Sequence, residues 1–259
     1  MKSIDLDDIE NLPGRRLEKN DRFQFRCHDG LSCFNKCCRN LNLFLYPYDV
    51  IRLKNNLTIS SGDFIDRYTD VVLRPGNHFP DVLLRMADNA EQTCPYLSEQ
   101  GCAVYPDRPD TCRTFPVEQG VILKEAGKPE PVYFFRPPDF CEGQHETTSF
   151  TIDTWASDQD AVTYNTMTVL WSDVKSLFMN NPWGPEGPSG SRAKMAFMAL
   201  YNVDSFREFV FGSSFLKRYK VKPEIQQKIK RNDAEMMKFG FAFVKVAFFG
   251  RPSSLLRLK

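Results

Sequence analysis

The residues of this sequence best able to do chemistry are eight cysteines, and they lie in two stretches. The first reads Cys27-His-Asp-Gly-Leu-Ser-Cys33-Phe-Asn-Lys-Cys37-Cys38-Arg39. The second runs from Cys94-Pro-Tyr-Leu through Cys102-Ala-Val-Tyr and Arg108-Pro-Asp-Thr-Cys112-Arg-Thr-Phe-Pro to Cys141-Glu-Gly. No cysteine follows Cys141. Cysteines used only as small apolar core residues have no reason to stop at mid-chain, so the clustering favours a site over packing. Thiolate sulfur suits zinc and iron–sulfur clusters alike, and the sequence leaves the choice between a 4Fe-4S cluster and zinc open.

Spacing constrains the ligands further. A short loop brings Cys33 and Cys37 within reach of one ion. Cys37 and Cys38 are adjacent, and neighbouring side chains diverge on a helix or point to opposite faces of a strand. They are expected to serve different metals, or different irons of one cluster. Eight thiolates also divide into two sets of four. Four thiolates around a zinc ion carry a net charge of about −2. Arg26, Lys36, Arg39, Arg108 and Arg113 stand beside the cysteines and could offset it. His28 and His145 lie near cysteines, but a lone histidine is more often a hydrogen-bonded surface residue than a ligand. Asp81, Asp107, Asp110 and Asp139 show no spacing that marks an acid/base pair. Neither a G-x-S-x-G elbow, nor a P-loop, nor a dinucleotide glycine fingerprint is present.

The order Phe25-Arg26-Cys27, Cys33, Cys37-Cys38-Arg39, Cys94-Pro-Tyr-Leu, Cys102-Ala-Val-Tyr, Arg108-Pro, Cys112-Arg-Thr-Phe-Pro and Cys141-Glu-Gly resembles the YkgJ-type cysteine-cluster family, whose domain chelates zinc or iron. The resemblance covers about Phe23 to Tyr164, including Trp155 and Asp158-Gln159. It implies a ligand role for Cys27, Cys33, Cys37, Cys38, Cys94, Cys102, Cys112 and Cys141. The family opens with C-x-x-C-x-x-C-C, whereas here the first two gaps hold five and three residues, His28 to Ser32 and Phe34 to Lys36. Asp29-Gly30 favours a turn that returns the longer loop to the site. A flagellin lysine methylase branch looks similar in its cysteine set. This chain lacks a C-x3-C-x2-C radical motif, because Asn40 stands where the third cysteine would be, and it has no glycine-rich methyl-donor loop.

Several elements must position these residues. The first 20 residues are polar. Arg22 to Arg26 and Leu41 to Leu45 alternate as strands do, and helices are expected over Asp49 to Leu57 and Asp63 to Val72, with Ser60 or Ser61 capping the second. Asp81 to Met86 reads as a strand. Thr93 to Pro116 is rich in proline and reads as a folded loop that needs a staple, which metal ligation would supply. Val121 to Leu123 and Val132 to Phe135 read as a hairpin joined through Ala126-Gly127-Lys128-Pro129. After Cys141 the pattern turns helical. Met167, Leu170, Trp171, Val174, Leu177 and Phe178 form one stripe between Thr154 and Met179. Helices follow over Ser191 to Tyr201, over Asp204 to Tyr219 with Asp204 as N-cap, and from Pro223 onward. The basic stretch Lys217 to Arg231 reads as the solvated face of a helix. The 22 phenylalanines point to a core or cavity rich in rings.

The expected fold is α+β: a small, irregular cysteine-rich part with short strands, packed against C-terminal helices. Its expected segments are residues 1–20, a metal-binding region at 21–150, and a helical region at 151–259 integrated with it. The N-terminus has no apolar leader, and Phe239 to Phe249 is too short to span a bilayer, so a cytoplasmic protein with reduced thiols is expected. The formal charge of +1 implies no general pull toward nucleic acid or membrane. Two functions are compatible with this reading. One is an iron–sulfur protein acting in oxidoreduction or protein modification. The other is a non-catalytic structural-zinc module whose helical tail binds a partner protein. Whether the chain is an enzyme, and what substrate or partner it meets, the sequence leaves open.

Overall fold

The computed structural model describes residues 3–4, 12–123 and 129–259. Two compact units emerge, one made of Met1–Phe44 with Leu84–Asp173 and the other of Leu45–Leu83 with Val174–Lys259. The stretches 21–150 and 151–259 each contribute to both. The class is α+β, with several small separate sheets, and all eight cysteines belong to the first unit.

The first unit is built on an antiparallel hairpin, Val117–Leu123 with Pro129–Phe135, in register from Val117 opposite Phe135 to Leu123 opposite Pro129. The expected connection at 126–129 lies, up to residue 128, outside the described residues. Arg15–Leu17 and Ser3–Ile4 flank the hairpin on either side to make a four-stranded sheet. The alternation at Arg22 to Arg26 becomes the strand Phe23–Gln24, which pairs antiparallel with Ser149–Phe150. Beneath these strands lies a core of Leu17, Phe23, Phe25, Val117, Cys141, Ile152 and Trp155. The Trp155 ring meets Phe25 edge-on at 5.5 Å and Phe150 at 4.9 Å, the arrangement that ring quadrupoles prefer.

The long helix expected from Thr154 is interrupted. It forms as Ile152–Asp158 and Val162–Lys175. Asp160 takes a left-handed backbone (φ 51°), the Ala161 amide donates to Ala156 O and the Asp160 amide to Ser157 O, which together end the first helix. Asp tolerates that backbone better than most residues, so the run Ser157-Asp158-Gln159-Asp160 carries the break. Of the expected stripe, Met167, Trp171, Val174 and Phe178 are buried, whereas Leu170 is exposed.

The second unit is mostly helical. Pro47 opens the helix Pro47–Asn56, and Ser60 caps Ser61–Tyr68 by accepting from the Asp63 amide. That second helix stops at Tyr68 because the β-branched run after it forms the strand Thr69–Val72, which pairs with Asp81–Leu84. Four helices then replace two expected ones. Val203–Gly212 is capped by Asn202 rather than Asp204, and Phe215–Arg218 is a separate turn. Asn232 divides Pro223–Arg231 from Asp233–Phe249 by accepting from the Glu235 amide.

Asp204 serves a different purpose. Its carboxylate accepts from the Ser61 amide (2.8 Å) and pairs with Lys54 Nζ (3.1 Å), which also reaches Asp233 (2.9 Å). Arg207 joins both carboxylates. Burial alone would raise both carboxyls, but hydrogen bonds and the Lys54 charge hold each below its ordinary value. The phenylalanines form true cores here: Phe206, Phe215, Phe239 and Phe243 pack around one another, and Phe79 stacks on Phe178 at 4.4 Å.

Helix Asp233–Phe249 approaches Ser191–Tyr201 so closely at Gly240 that a Cβ there would meet Ala199 O at 1.9 Å. Gly240→Ala is therefore expected to force the helices apart and destabilise the protein by about 1–3 kcal/mol, despite alanine's better helix propensity. Chemical denaturation monitored by circular dichroism checks this; a variant as stable as the parent contradicts the close approach.

Candidate metal centre

Two seams bring the cysteine stretches together. At the first, the Cys94 amide donates to Cys38 O (2.8 Å), the Asn40 amide donates to Gln92 O (2.9 Å), and Arg39 bridges Thr93 between them. This short antiparallel contact sets the second stretch directly against Cys38. At the second seam, the Arg26 amide donates to Gly143 O (3.0 Å) and the Phe25 amide to Thr148 O (2.9 Å). A Cβ on Gly143 would sit 2.7 Å from Arg26 O, so only glycine permits the approach. The Glu142 amide then donates to Cys33 Sγ at 3.2 Å.

The local turns follow from the sequence. His28 to Leu31 closes a turn, with the Leu31 amide on His28 O and the Gly30 amide on His28 Nδ1 (3.2 Å). This is the device by which the longer first gap returns to the site. Asn35 and Asn40 both adopt left-handed backbones (φ 63° and 49°), flanking the tight turn Lys36–Cys38. Leu97–Ser98 pairs with Gly101–Cys102 through a turn in which Gly101 has φ 112°. Cys112 lies on the short helix Asp110–Thr114.

The eight sulfurs are free, and they sort by mutual influence. Cys27 lies within electrostatic reach of Cys33, Cys37 and Cys141, and Cys141 of Cys33 and Cys37. Cys38 is within reach of Cys94 and Cys112, and Cys94 of Cys102. Cys37 is also felt by Cys38, Cys94 and Cys102, so the two groups adjoin at the Cys37–Cys38 step. Among the described residues, no group of three or more His, Cys, Asp or Glu side chains already stands in an ion-holding arrangement. Closing either group on an ion therefore requires its side chains to draw together.

Backbone amides point at several of the sulfurs. Cys94 accepts from Tyr96 and Leu97, Cys102 from Val104, and Cys141 from Gly143 and Gln144. Such bonds favour thiolate over thiol. Burial works the other way and wins: it raises the Cys94, Cys102 and Cys141 thiols and pushes Cys27 up to about 11. Cys37 is the exception. A hydrogen bond from the Cys38 thiol, assisted by the Arg39 charge, outweighs burial and draws it down to about 7, while Cys38 is pushed far up in return.

Two of the basic residues expected to offset thiolate charge do so. Arg39 acts on Cys37, and Arg108 acts on Cys102 and Cys112. Arg113 has a structural task instead. It is buried, donates to Gln159 O and Pro106 O (both 2.7 Å), and stacks over the Tyr164 ring at 4.3 Å. Arg108 donates to Gln159 Oε1 (2.8 Å), and the Trp155 indole donates to Thr114 O (2.9 Å). The loop carrying Cys102 and Cys112 is thus clamped onto Trp155, Gln159 and Tyr164. The sequence predicts metal ligation as the staple of this loop; the resemblance includes Trp155 and Gln159 but gives them no task. His28 engages the Gly30 amide and lies 3.7 Å from Glu146. Asp110 is buried, accepts from the Thr168 hydroxyl (2.8 Å), and is raised to about 6 mainly by burial.

Residues 26–150 match a family model, CxxCxxCC, described as "Putative zinc- or iron-chelating domain". The match falls on the stretch whose cysteine order carried the resemblance. The matched span includes all eight cysteines, and the donor chemistry fits either metal: every sulfur neighbours at least one other, and backbone amides already face four of them. No curated protein and no solved structure matches the chain.

Two outcomes are expected. In metal-free protein, Cys37 should be the first thiol alkylated, with a half-point near pH 7, and Cys38→Ala should move that half-point upward. Because ligation needs thiolates, metal affinity should fall as pH drops below that value. Peptide mapping of iodoacetamide labelling across pH reads this, and uniform labelling of all eight contradicts it. Arg113→Ala should lower metal content and destabilise the first unit by about 1–2 kcal/mol, since it removes a buried guanidinium that bonds two part-buried carbonyls. Arg113→Lys should not restore it, because an ammonium cannot reproduce the planar fork. Unfolding and metal analysis of both variants provide the check.

Proposed function

We propose that the cysteine-rich unit holds two adjoining metal centres, with Cys27, Cys33, Cys37 and Cys141 around one and Cys38, Cys94, Cys102 and Cys112 around the other. What supports this is that, Cys37 apart, the electrostatic neighbours fall into two groups, Cys27, Cys33 and Cys141 in one and Cys38, Cys94, Cys102 and Cys112 in the other, with Cys37 between them and felt by both. Each four draws one member from a distant stretch, which no simple packing requirement explains.

We read the centres as iron–sulfur clusters in a cytoplasmic electron-transfer role. Amide-to-sulfur hydrogen bonds at Cys33, Cys94, Cys102 and Cys141 are of the kind that tune cluster potential. Cys27 and Cys112 are exposed, one in each set, so each centre would have a route to an exchanging partner. A second reading, structural zinc, is favoured by the backbone around Cys94–Cys112, which has only two-residue strands and single turns and would gain rigidity from a closed four-sulfur ion. On that reading the second unit would supply the surface for a partner protein.

Anaerobic purification followed by metal and sulfide analysis and a visible spectrum separates the two. A brown, oxygen-labile protein is expected. A colourless protein with about two zinc ions per chain would select the zinc reading. Cys33→Ser and Cys112→Ser should each remove one centre and spare the other. Full metal retention in both variants would overturn the assignment.

A further inference from the structure

The second unit ends in a basic surface that the sequence does not reveal as one. The strand Tyr219–Lys220 pairs antiparallel with Arg257–Leu258, setting Tyr219 opposite Leu258 and Lys220 opposite Arg257. The Lys259 amide donates to Arg218 O (2.9 Å), and Lys259 Nζ reaches Leu216 O (2.9 Å). Cations distant in the chain are thereby gathered: Lys217, Arg218, Lys220 and Lys222 from one side, Arg257 and Lys259 from the other. All six are exposed, and among the described residues none pairs with a carboxylate.

One detail argues against an ordinary solvated face. Residues directly opposite on an antiparallel pair project on the same side with their Cβ atoms about 5 Å apart, and like charges so placed are destabilising. Lys220 and Arg257 are such a pair, on a two-residue sheet with little other hydrogen bonding to hold it. Lys217 and Arg218 have a local explanation, since cations favour a helix C-terminus, but that does not extend to Lys220 and Arg257. An anion held between them would convert the repulsion into attraction.

We propose that this basic two-stranded edge is a docking site for an acidic, carboxylate-rich segment of a partner protein. The neighbouring rings disfavour single-stranded nucleic acid as the occupant: Phe215 is buried and Tyr219 half-buried, stacked on each other at 4.7 Å, so neither offers a free face to a base. Leu258 is the one large apolar side chain exposed on the edge, too little for insertion into a lipid surface, which requires an apolar face. The site lies outside the cysteine-rich unit, so the proposal does not depend on the metal reading.

The test uses the full chain, a fluorescein-labelled oligoglutamate peptide, and anisotropy at several salt concentrations. Vesicles rich in phosphatidylserine and a single-stranded oligonucleotide serve as competing probes. Peptide binding is expected to weaken with salt and to fall on the order of tenfold in the double variant Lys220→Gln/Arg257→Gln. Thermal unfolding of that variant should be unchanged or raised, because the repulsion is gone. Binding equal in parent and variant, a preference for vesicles or oligonucleotide, or a variant less stable than the parent would each overturn the proposal.

Discussion

Sulfurs gathered into one small, partly buried volume resist ionisation, and that resistance is the constraint around which the first unit is organised. Burial penalises each thiolate, and every one that forms makes the next harder to form, so Cys27, Cys94, Cys102 and Cys141 are held toward the neutral thiol, while Cys38 is held there first by its hydrogen bond to Cys37. A divalent ion or a cluster reverses the sign of the interaction, so the arrangement makes physical sense only with positive charge at its centre. The polypeptide favours the thiolate form with backbone amides and with Arg39 and Arg108, and Cys37 provides a first deprotonated thiol from which ligation can start.

Holding such a set requires a rigid frame, since the loops that carry it have almost no ladder of their own. The frame comes from two sources. The aromatic cluster around Trp155 buries Cys141 and Phe25 beneath the site, each such large side chain contributing on the order of 1.5–3 kcal/mol of apolar transfer. The guanidinium of Arg113 then ties the loop of Cys102 and Cys112 to the turn at Gln159 by donating to the Pro106 and Gln159 carbonyls. The helix break at Asp160 is part of the same device, because an uninterrupted helix would have used the Gln159 carbonyl internally.

The second unit is stabilised differently, by stacked rings and by a network in which Lys54 and Arg207 neutralise Asp204 and Asp233 among the helix ends. Such part-buried pairs repay their own desolvation only when every charge is matched. Among the described residues, no helix is long and apolar enough to cross a membrane.

Much was legible in the residues alone. The clustering of the cysteines, the resemblance that covers them, the hairpin around Val121 and Val132, the capped helix after Ser60 and the α+β class all follow from local pattern, because periodicity, caps and turn residues act over a few positions. The divergence expected of the adjacent Cys37 and Cys38 does not form: their thiols hydrogen-bond to each other. What pattern could not supply was long-range. Nothing local says that Cys141 joins Cys27 and Cys33 while Cys112 joins Cys38, that Asp204 bonds Ser61 instead of capping its own helix, that Gln159 anchors two arginines, or that Lys220 faces Arg257. Each of these depends on segments meeting across many residues, and only the folded chain, by choosing which backbones pair, decides which side chains become neighbours.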